Sequence, residues 1–277
     1  MASPASGSAA VASATRPTLF QLALGFVTNF FDTLGIGSFA PTTAAFKARG
    51  MMADELIPGT LNVGHAPPTI AEALIFITAI KVDVLTLGLL IGASVLGAWI
   101  GAGVVSGLPR HAVQRGMAIA LFVAAVFTVL RMTAIFPGGG DALTLAGALL
   151  VVGVLGNFVL GALMTLGIGL YAPCMAMVSL LGMNPRAAFP IMMGSCALLM
   201  PVASLRFLKT GRYDRRAALG LAIGGVPAVL LAAFVVKSLP LDTVRVLVVV
   251  VIVYTAWKLW RDSLVSIRAA RGATPGG

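Results

Sequence analysis

The sequence predicts an all-α polytopic membrane protein built from two inverted repeats, each combining a glycine-broken helix (re-entrant or hairpin) with three transmembrane helices. Three observations lead to that class. Apolar residues form 59% of the 277-residue chain and charged residues only 10%, against about 25% charge in ordinary globular domains, so a water-facing surface cannot be clothed. The apolar residues fall into runs close to the length that crosses a bilayer. A block around residue 35 also recurs around residue 167, within a match that spans most of the chain.

Taken in order, residues 1–17 are rich in Ser and Ala without an apolar core, and are expected to form a disordered tail. Apolar runs follow at 18–46, 60–80, 84–108, 112–136, 142–181, 187–206, 217–237 and 241–260. A hydrocarbon core of about 30 Å takes roughly 20 helical residues, so six of these read as single spans. The runs 18–46 and 142–181 are interrupted by glycine and are not simple spans. Turn signals such as Pro137-Gly138-Gly139-Gly140 and Lys209-Thr210-Gly211-Arg212 separate the runs. The first repeat is placed at 18–136, the second at 142–262, and a cytoplasmic C-terminal tail at 263–277.

The repeat is direct to read. Thr33-Leu34-Gly35-Ile36-Gly37-Ser38-Phe39-Ala40-Pro41 matches Thr165-Leu166-Gly167-Ile168-Gly169-Leu170-Tyr171-Ala172-Pro173 at seven of nine positions, 132 residues later. Gly50-Met51 and Gly182-Met183, and Pro58 and Pro190, share that offset.

Charge decides the relative orientation. Arg110 and Arg115 mark one loop, Arg206 to Arg216 a second, and Lys258 to Arg271 the C-terminus. All three lie on the cytoplasmic side, as the positive-inside rule requires, only if each glycine-broken run enters and returns on one side. Fourteen of the 19 basic residues, with Arg16, Lys47 and Arg49 among them, then lie inside. Each repeat holds an odd number of spans, so the two must be inverted, a recurring transporter architecture. The net charge of +10 is thereby assigned to membrane orientation, and no nucleic-acid partner is expected.

Candidate functional residues cluster around the breaks. Half-helix ends present unpaired backbone groups and a partial dipole charge at membrane depth, and N-termini favour anions. Gly35, Gly37 and Pro41, with Gly167, Gly169 and Pro173, suit such breaks; the alternative is a close-packed Gly-x-Gly helix crossing. Ser38, Thr42, Thr43, Tyr171 and Cys174 would line them.

Asp32, His65 and Glu72 fall within or near membrane segments, where ionisable residues are functional candidates by default. Asp32 is read either as a proton-coupling group or as a cap on a half-helix. His65 is read as an anion donor, a pH-dependent charge or a ligand of a neighbouring carbonyl. Glu72 is read as a second coupling group, or as a side chain reaching the interface or Lys81. Asn29 and Asn157 are expected to join helices. Cys174 and Cys196 read as small hydrophobes or as thiols for soft metal or reduced sulfur. No nucleotide-binding loop, nucleophile elbow or zinc-protease motif occurs, so neither an enzyme nor a cofactor or resident metal is expected.

These motifs resemble the sulfite exporter TauE/SafE family of membrane permeases over nearly all of residues 18–262. The glycine stretches with Pro41 and Pro173 look like the family's first repeated element. Asn62-Val63-Gly64-His65-Ala66 and Met192-Met193-Gly194-Ser195-Cys196 look like its second. Ile80-Lys81-Val82-Asp83 and Gly211-Arg212-Tyr213-Asp214 look like its third. Ser38-Phe39 and Leu170-Tyr171 stand where the family pattern has glycines, and His65 and Cys196 where it has small hydroxyl residues. The resemblance implies proton-coupled passage of sulfite, sulfonates or related small anions across the cytoplasmic (inner) membrane.

The reading is therefore a carrier whose substrate contacts come from Gly35, Gly37, Ser38, Pro41, Thr42, Asn62, Gly64, His65, Gly167, Gly169, Tyr171, Pro173, Gly194 and Ser195, with Asp32 and Glu72 coupling protons or another ion. The alternatives are a carrier of reduced sulfur or soft metal using Cys174 and Cys196, and a membrane-embedded sulfur-relay protein.

Overall fold

The computed structural model describes residues 16–132, 140–167, 169–235 and, further on, 253, 256, 257, 260–265 and 267. The first 15 residues of the expected tail lie outside the described residues. So do the turn at Pro137-Gly138-Gly139, most of the run 241–260 and most of the tail 263–277. Helices α1 (Leu19–Thr33), α2 (Phe39–Arg49), α3 (Ile57–Ala79), α4 (Val84–Val105) and α5 (Arg110–Met132) come from the first repeat. Helices α6 (Gly147–Met164), α7 (Tyr171–Leu180), α8 (Ala188–Thr210) and α9 (Arg215–Val235) come from the second. Short 3-10 turns at Asp54–Leu56 and Pro185–Ala187 precede α3 and α8. Among the described residues there is no β-strand, only an isolated bridge between Ala142 and Met183. Four stretches, Val84–Val105, Gly147–Met164, Pro185–Thr210 and Arg215–Phe234, are long and apolar enough to cross a membrane.

Both glycine-broken runs are two helices each. Thr18 starts α1 with a capping box: its hydroxyl accepts from the Gln21 amide, and the Gln21 side chain accepts from the Thr18 amide. The helix stops in a Schellman turn, with Gly35 N–H on Asp32 O at 2.7 Å and Ile36 N–H on Phe31 O at 3.2 Å. Gly35 holds φ +78° there, and its counterpart Gly167 holds φ +93° at the end of α6. An L side chain resists that conformation, which is why the breaks fall on glycine. Element boundaries recur across the repeats: α2 and α7 start at 39 and 171, α3 and α8 at 57 and 188, α4 and α9 at 84 and 215.

Each broken run doubles back along itself. The Arg49 guanidinium at the end of α2 lies 3.9 Å over the Phe20 ring at the start of α1. In the second repeat, Gly140 N–H reaches Met183 O and Asn184 N–H reaches Ala142 O, so the residue after α7 pairs with the segment before α6. At about 1.5 Å per residue, α1 and α6 carry their last turns roughly 22–27 Å inward, where the tips meet.

Glycine lets the outer pairs approach closely. A Cβ on Gly224 of α9 would overlap the Leu22 carbonyl of α1, and one on Gly161 of α6 would overlap the Ser94 backbone of α4. Small residues at membrane helix crossings serve this purpose. In both pairs, early residues meet early residues: Gln21 lies by Gly220 and Asn29 by Gly225, while Leu90 lies by Asn157 and Gly101 by Thr165. By contrast α3 and α8 run past each other oppositely, with Gly59 on Phe207 and Phe76 stacked on Phe189 at 5.3 Å.

One end of the bundle therefore gathers the starts of α1, α3 and α9 with the ends of α2 and α8. Lys47 there bridges Asp54 (2.6 Å) and Asp262 (2.7 Å), and Gln114 of α5 donates to Asp54 at 2.6 Å. Arg212 donates to the carbonyls of Ser106 and Leu108 just past α4, and Arg216 to that of Arg16. At the other end Asp83 caps α4 by accepting from Thr86 N–H at 2.8 Å, and its own amide reaches Leu143 O beside α6. The outer surface is apolar, with Leu85, Leu96, Leu155, Val151 and Phe234 exposed. The central pair α3 and α8 is buried along most of its length, so α3 accommodates Asn62, His65, Pro68 and Glu72 within a bundle whose exterior is hydrocarbon-like.

Candidate functional site at the hairpin tips

The tips bring the first turns of α2 and α7 into the middle of the bundle. Ser38 and Leu170 occupy the two cap positions, and neither caps its helix through its own side chain; at α2 the Asp32 carboxyl takes that place, accepting from the Ser38 hydroxyl and amide. Pro41 and Pro173 stand at the third helical position of each, where the missing N–H removes one donor that would otherwise lack a partner. What remains are the amides of Phe39 and Ala40 on one side and of Tyr171 and Ala172 on the other.

Between the tips lies a cavity of about 10 Å³, near the space one water needs. Its wall is made by Asp32, Gly37, Ser38 and Phe39 from the first hairpin, Met164, Gly169, Leu170 and Tyr171 from the second, Thr69 from α3, and Cys196 and Met200 from α8. Asp32 accepts from the Ser38 hydroxyl at 2.9 Å. Behind the wall Glu72 is fully buried: Oε1 lies 3.0 Å from the Thr33 hydroxyl and Oε2 accepts from the Tyr171 hydroxyl at 2.7 Å. It does not reach the interface or Lys81. Among the described residues no basic nitrogen lies within ion-pair distance of either carboxyl.

His65, one turn before Thr69 and two before Glu72, is also fully buried. Its Nδ1 lies 3.0 Å from Asn29 Oδ1 and its Nε2 3.1 Å from Thr42 Oγ1, with the Phe39 ring beside it at 5.6 Å. Asn29 donates to Gly25 O, so its carbonyl faces the imidazole and Nδ1 carries a hydrogen. Cys196 Sγ rests 3.5 Å from Met164 Sδ, and Cys174 is buried one turn along α7 from Tyr171. Among the described residues no three His, Cys, Asp or Glu side chains are grouped to hold a metal ion.

The chain has no match among protein-family models, curated proteins or solved structures. Its candidate site rests on geometry.

Asp32, Gly37, Ser38, Gly169, Tyr171 and Cys196 meet at the cavity, with His65, Thr42 and Glu72 in the layer behind them. Other sequence candidates have structural partners instead. Asn62 donates to Pro58 O on its own helix. Ser195 accepts from Asn157, whose amide also reaches Leu90 O, a three-helix tie. Gly64 and Gly194 fit against Leu221 and Ile91, Gly35 against Phe189, and Gly167 against Leu61. Thr43 is buried with no partner for its hydroxyl.

Sequence reasoning missed Thr33, Thr69, Met164 and Met200. Thr69 was detectable, since His65, Thr69 and Glu72 stand at i, i+4 and i+7 on one helical face. The methionines carried no such mark. Their place emerges from the repeat: Asp32, Ser38 and Thr42 have Met164, Leu170 and Cys174 as counterparts, so at these three positions the first repeat carries oxygen and the second sulfur or hydrocarbon.

Proposed function

We propose that the chain is a gradient-driven carrier of a small anion, a sulfur oxyanion such as sulfite or a sulfonate, with protons as the coupling ion. The observation that carries this reading is the meeting of two helix N-termini, one of them facing the Asp32 carboxyl, at a cavity walled by Asp32, Ser38 and Tyr171. Helix N-termini attract anions, whereas a buried carboxylate repels them. An anion can therefore share the chamber with Asp32, with Glu72 buried behind its wall, only when protons accompany it, because unpaired buried charge is costly. That conflict between charges is the physical basis of coupling, and it makes Asp32 and Glu72 the coupling pair.

The two repeats cross the membrane in opposite sense in this reading. Its support is that α1 runs alongside α9 and α4 alongside α6, while α3 opposes α8. The doubled-back α1–α2 and α6–α7 segments are then re-entrant hairpins, one from each face. The end carrying Lys47, Arg49, Arg115, Arg206, Lys209, Arg212, Arg215 and Arg216 is assigned to the cytoplasmic face of the inner membrane by the positive-inside rule, and both termini are assigned to the same face. The motif resemblance to TauE/SafE permeases supports the same substrate class.

Uptake of labelled sulfite into proteoliposomes, with and without an imposed proton gradient, tests the proposal. Gradient-stimulated accumulation competed by small sulfonates is expected; its absence would unseat sulfite as the substrate. A second reading, a carrier of reduced sulfur or soft metal, is favoured by the contact of Cys196 with Met164 and by Met200 in the same wall. Replacing Cys174 and Cys196 by Ala separates the two, since an oxyanion carrier retains transport and a thiol carrier loses it.

A further inference from the structure

Glu72 and Asp32 are placed differently with respect to the central cavity. Asp32 forms part of its wall, while Glu72 does not, and Glu72 touches that wall through the Tyr171 hydroxyl. Tyr171 thus belongs to the cavity wall while its hydroxyl oxygen lies 2.7 Å from the hidden carboxyl. The titratable groups facing Glu72 are Asp32 from α1, Tyr171 from α7 and Cys196 from α8. On its own helix His65 lies two turns away; α9 meets the glycine contacts of α3 with Ala218, Leu221 and Gly225, and Asp214 before α9 bonds Thr60 three turns from Glu72.

We infer that Tyr171 is the proton relay between Glu72, which stores a proton out of reach of substrate, and the cavity bounded by Asp32. The inference rests on the proton-coupled reading above and divides the work between its two carboxyls.

The hydrogen-bond geometry fits both charge states of Glu72 without moving a heavy atom. In the acid form Oε2–H donates to the Tyr171 oxygen and the tyrosine hydrogen points into the cavity. Release passes the tyrosine hydrogen to a water in the cavity, as the Glu72 hydrogen moves onto the tyrosine oxygen. The products are a Glu72 carboxylate accepting from the Tyr171 hydroxyl and a protonated acceptor in the cavity. One O–H bond breaks and one forms at tyrosine, so it ends neutral. Thr33 accommodates both states on the other side: its hydroxyl lies 3.0 Å from Glu72 Oε1 and 2.9 Å from Asn29 O, so it can donate to either. Because Tyr171 belongs to the second repeat and Glu72 to the first, movement of the second hairpin breaks the relay and traps the proton on whichever side it has reached.

The test is infrared difference spectroscopy on the full chain in lipid, a readout that needs no substrate. The carboxylic C=O band of Glu72 is identified by its loss in Glu72→Gln, and its hydrogen–deuterium exchange is timed after a switch to D₂O. Tyr171→Phe keeps the ring and removes the relay. It is expected to leave the Glu72 band present and slow its exchange about a hundredfold, the low end of what a positioned proton-transfer group contributes. Gly103→Ala, where an added Cβ meets nothing, is expected to leave that rate unchanged. Exchange at the wild-type rate in Tyr171→Phe, or a band set unaltered by Glu72→Gln, would overturn the relay. Failure of sulfite uptake with intact Tyr171-dependent exchange would instead count against the substrate alone.

Discussion

Lys47 offers a perturbation whose size can be worked from its two partners. It lies 2.6 Å from Asp54 and 2.7 Å from Asp262, but the side chain of Asp54 is 3% exposed and that of Asp262 is 37% exposed. Replacing Lys47 by Met removes the cation from a carboxylate that water cannot reach. Breaking a buried pair at one member costs about 3–5 kcal/mol. The Gln114 amide still donates to Asp54 Oδ2 at 2.6 Å, so the carboxylate is not left bare and the lower part of that range, about 3–4 kcal/mol, is expected. Asp262→Asn removes a half-open pair, for which about 0–1 kcal/mol is expected. Removing both buried charges in Lys47→Met with Asp54→Asn should recover a large part of the Lys47→Met loss. Reversible unfolding in mixed micelles, at fixed lipid and detergent, measures all four proteins. Equal losses for Lys47→Met and Asp262→Asn, or a double variant no better than Lys47→Met, would refute the claim that burial of Asp54 controls the energetics. The stake is architectural, because this network ties the end of α2 to α5, to the turn before α3 and to Asp262.

The remaining expectations use the same logic elsewhere. Asp32→Asn should abolish proton-driven uptake in proteoliposomes while leaving substrate exchange, and equal loss of both would sink its coupling role. Gly161→Val places a Cβ into the Ser94 backbone and should lower the unfolding midpoint clearly, by about 1–3 kcal/mol for overpacking, whereas Gly103→Ala on an open face should not lower it. The Asp83 carboxyl is held below its ordinary value, first by the Thr86 amide and then by the Thr86 hydroxyl. A depressed carboxyl stabilises the fold above its unfolded value of about 3.9 and loses that contribution as pH falls through the lower folded value. The stability difference between wild type and Asp83→Asn should accordingly be present at neutral pH and vanish in strong acid; a pH-independent difference would contradict the capping interaction.

Much of this organisation was legible in the chain itself. Composition decided that the exterior meets hydrocarbon, because so few charges cannot hydrate a surface of this size. The positions of the breaks followed from glycine, since Gly35 and Gly37 after α1 and Gly167 after α6 hold the positive φ that an L side chain resists. The duplication, the offset of its elements and the collection of basic side chains at one end were equally readable, because each depends on order along the chain. Asp32 and His65 stood out since ionisable groups are rare in apolar runs.

What tertiary structure decided is which of those groups meet. Glu72 joins Tyr171 from 99 residues away and Thr33 from 39, a pairing set by the doubling back of both hairpins and by the approach of α3 and α8. Asn62 and Ser195 sit in motifs like those of the site yet turn to a carbonyl of their own helix and to Asn157. Spacing along a helix tells which residues share a face. Which face turns inward is set by packing, here by glycine contacts such as Gly64 on Leu221 and Gly225 on Asn29, and no local signal encodes that rotation.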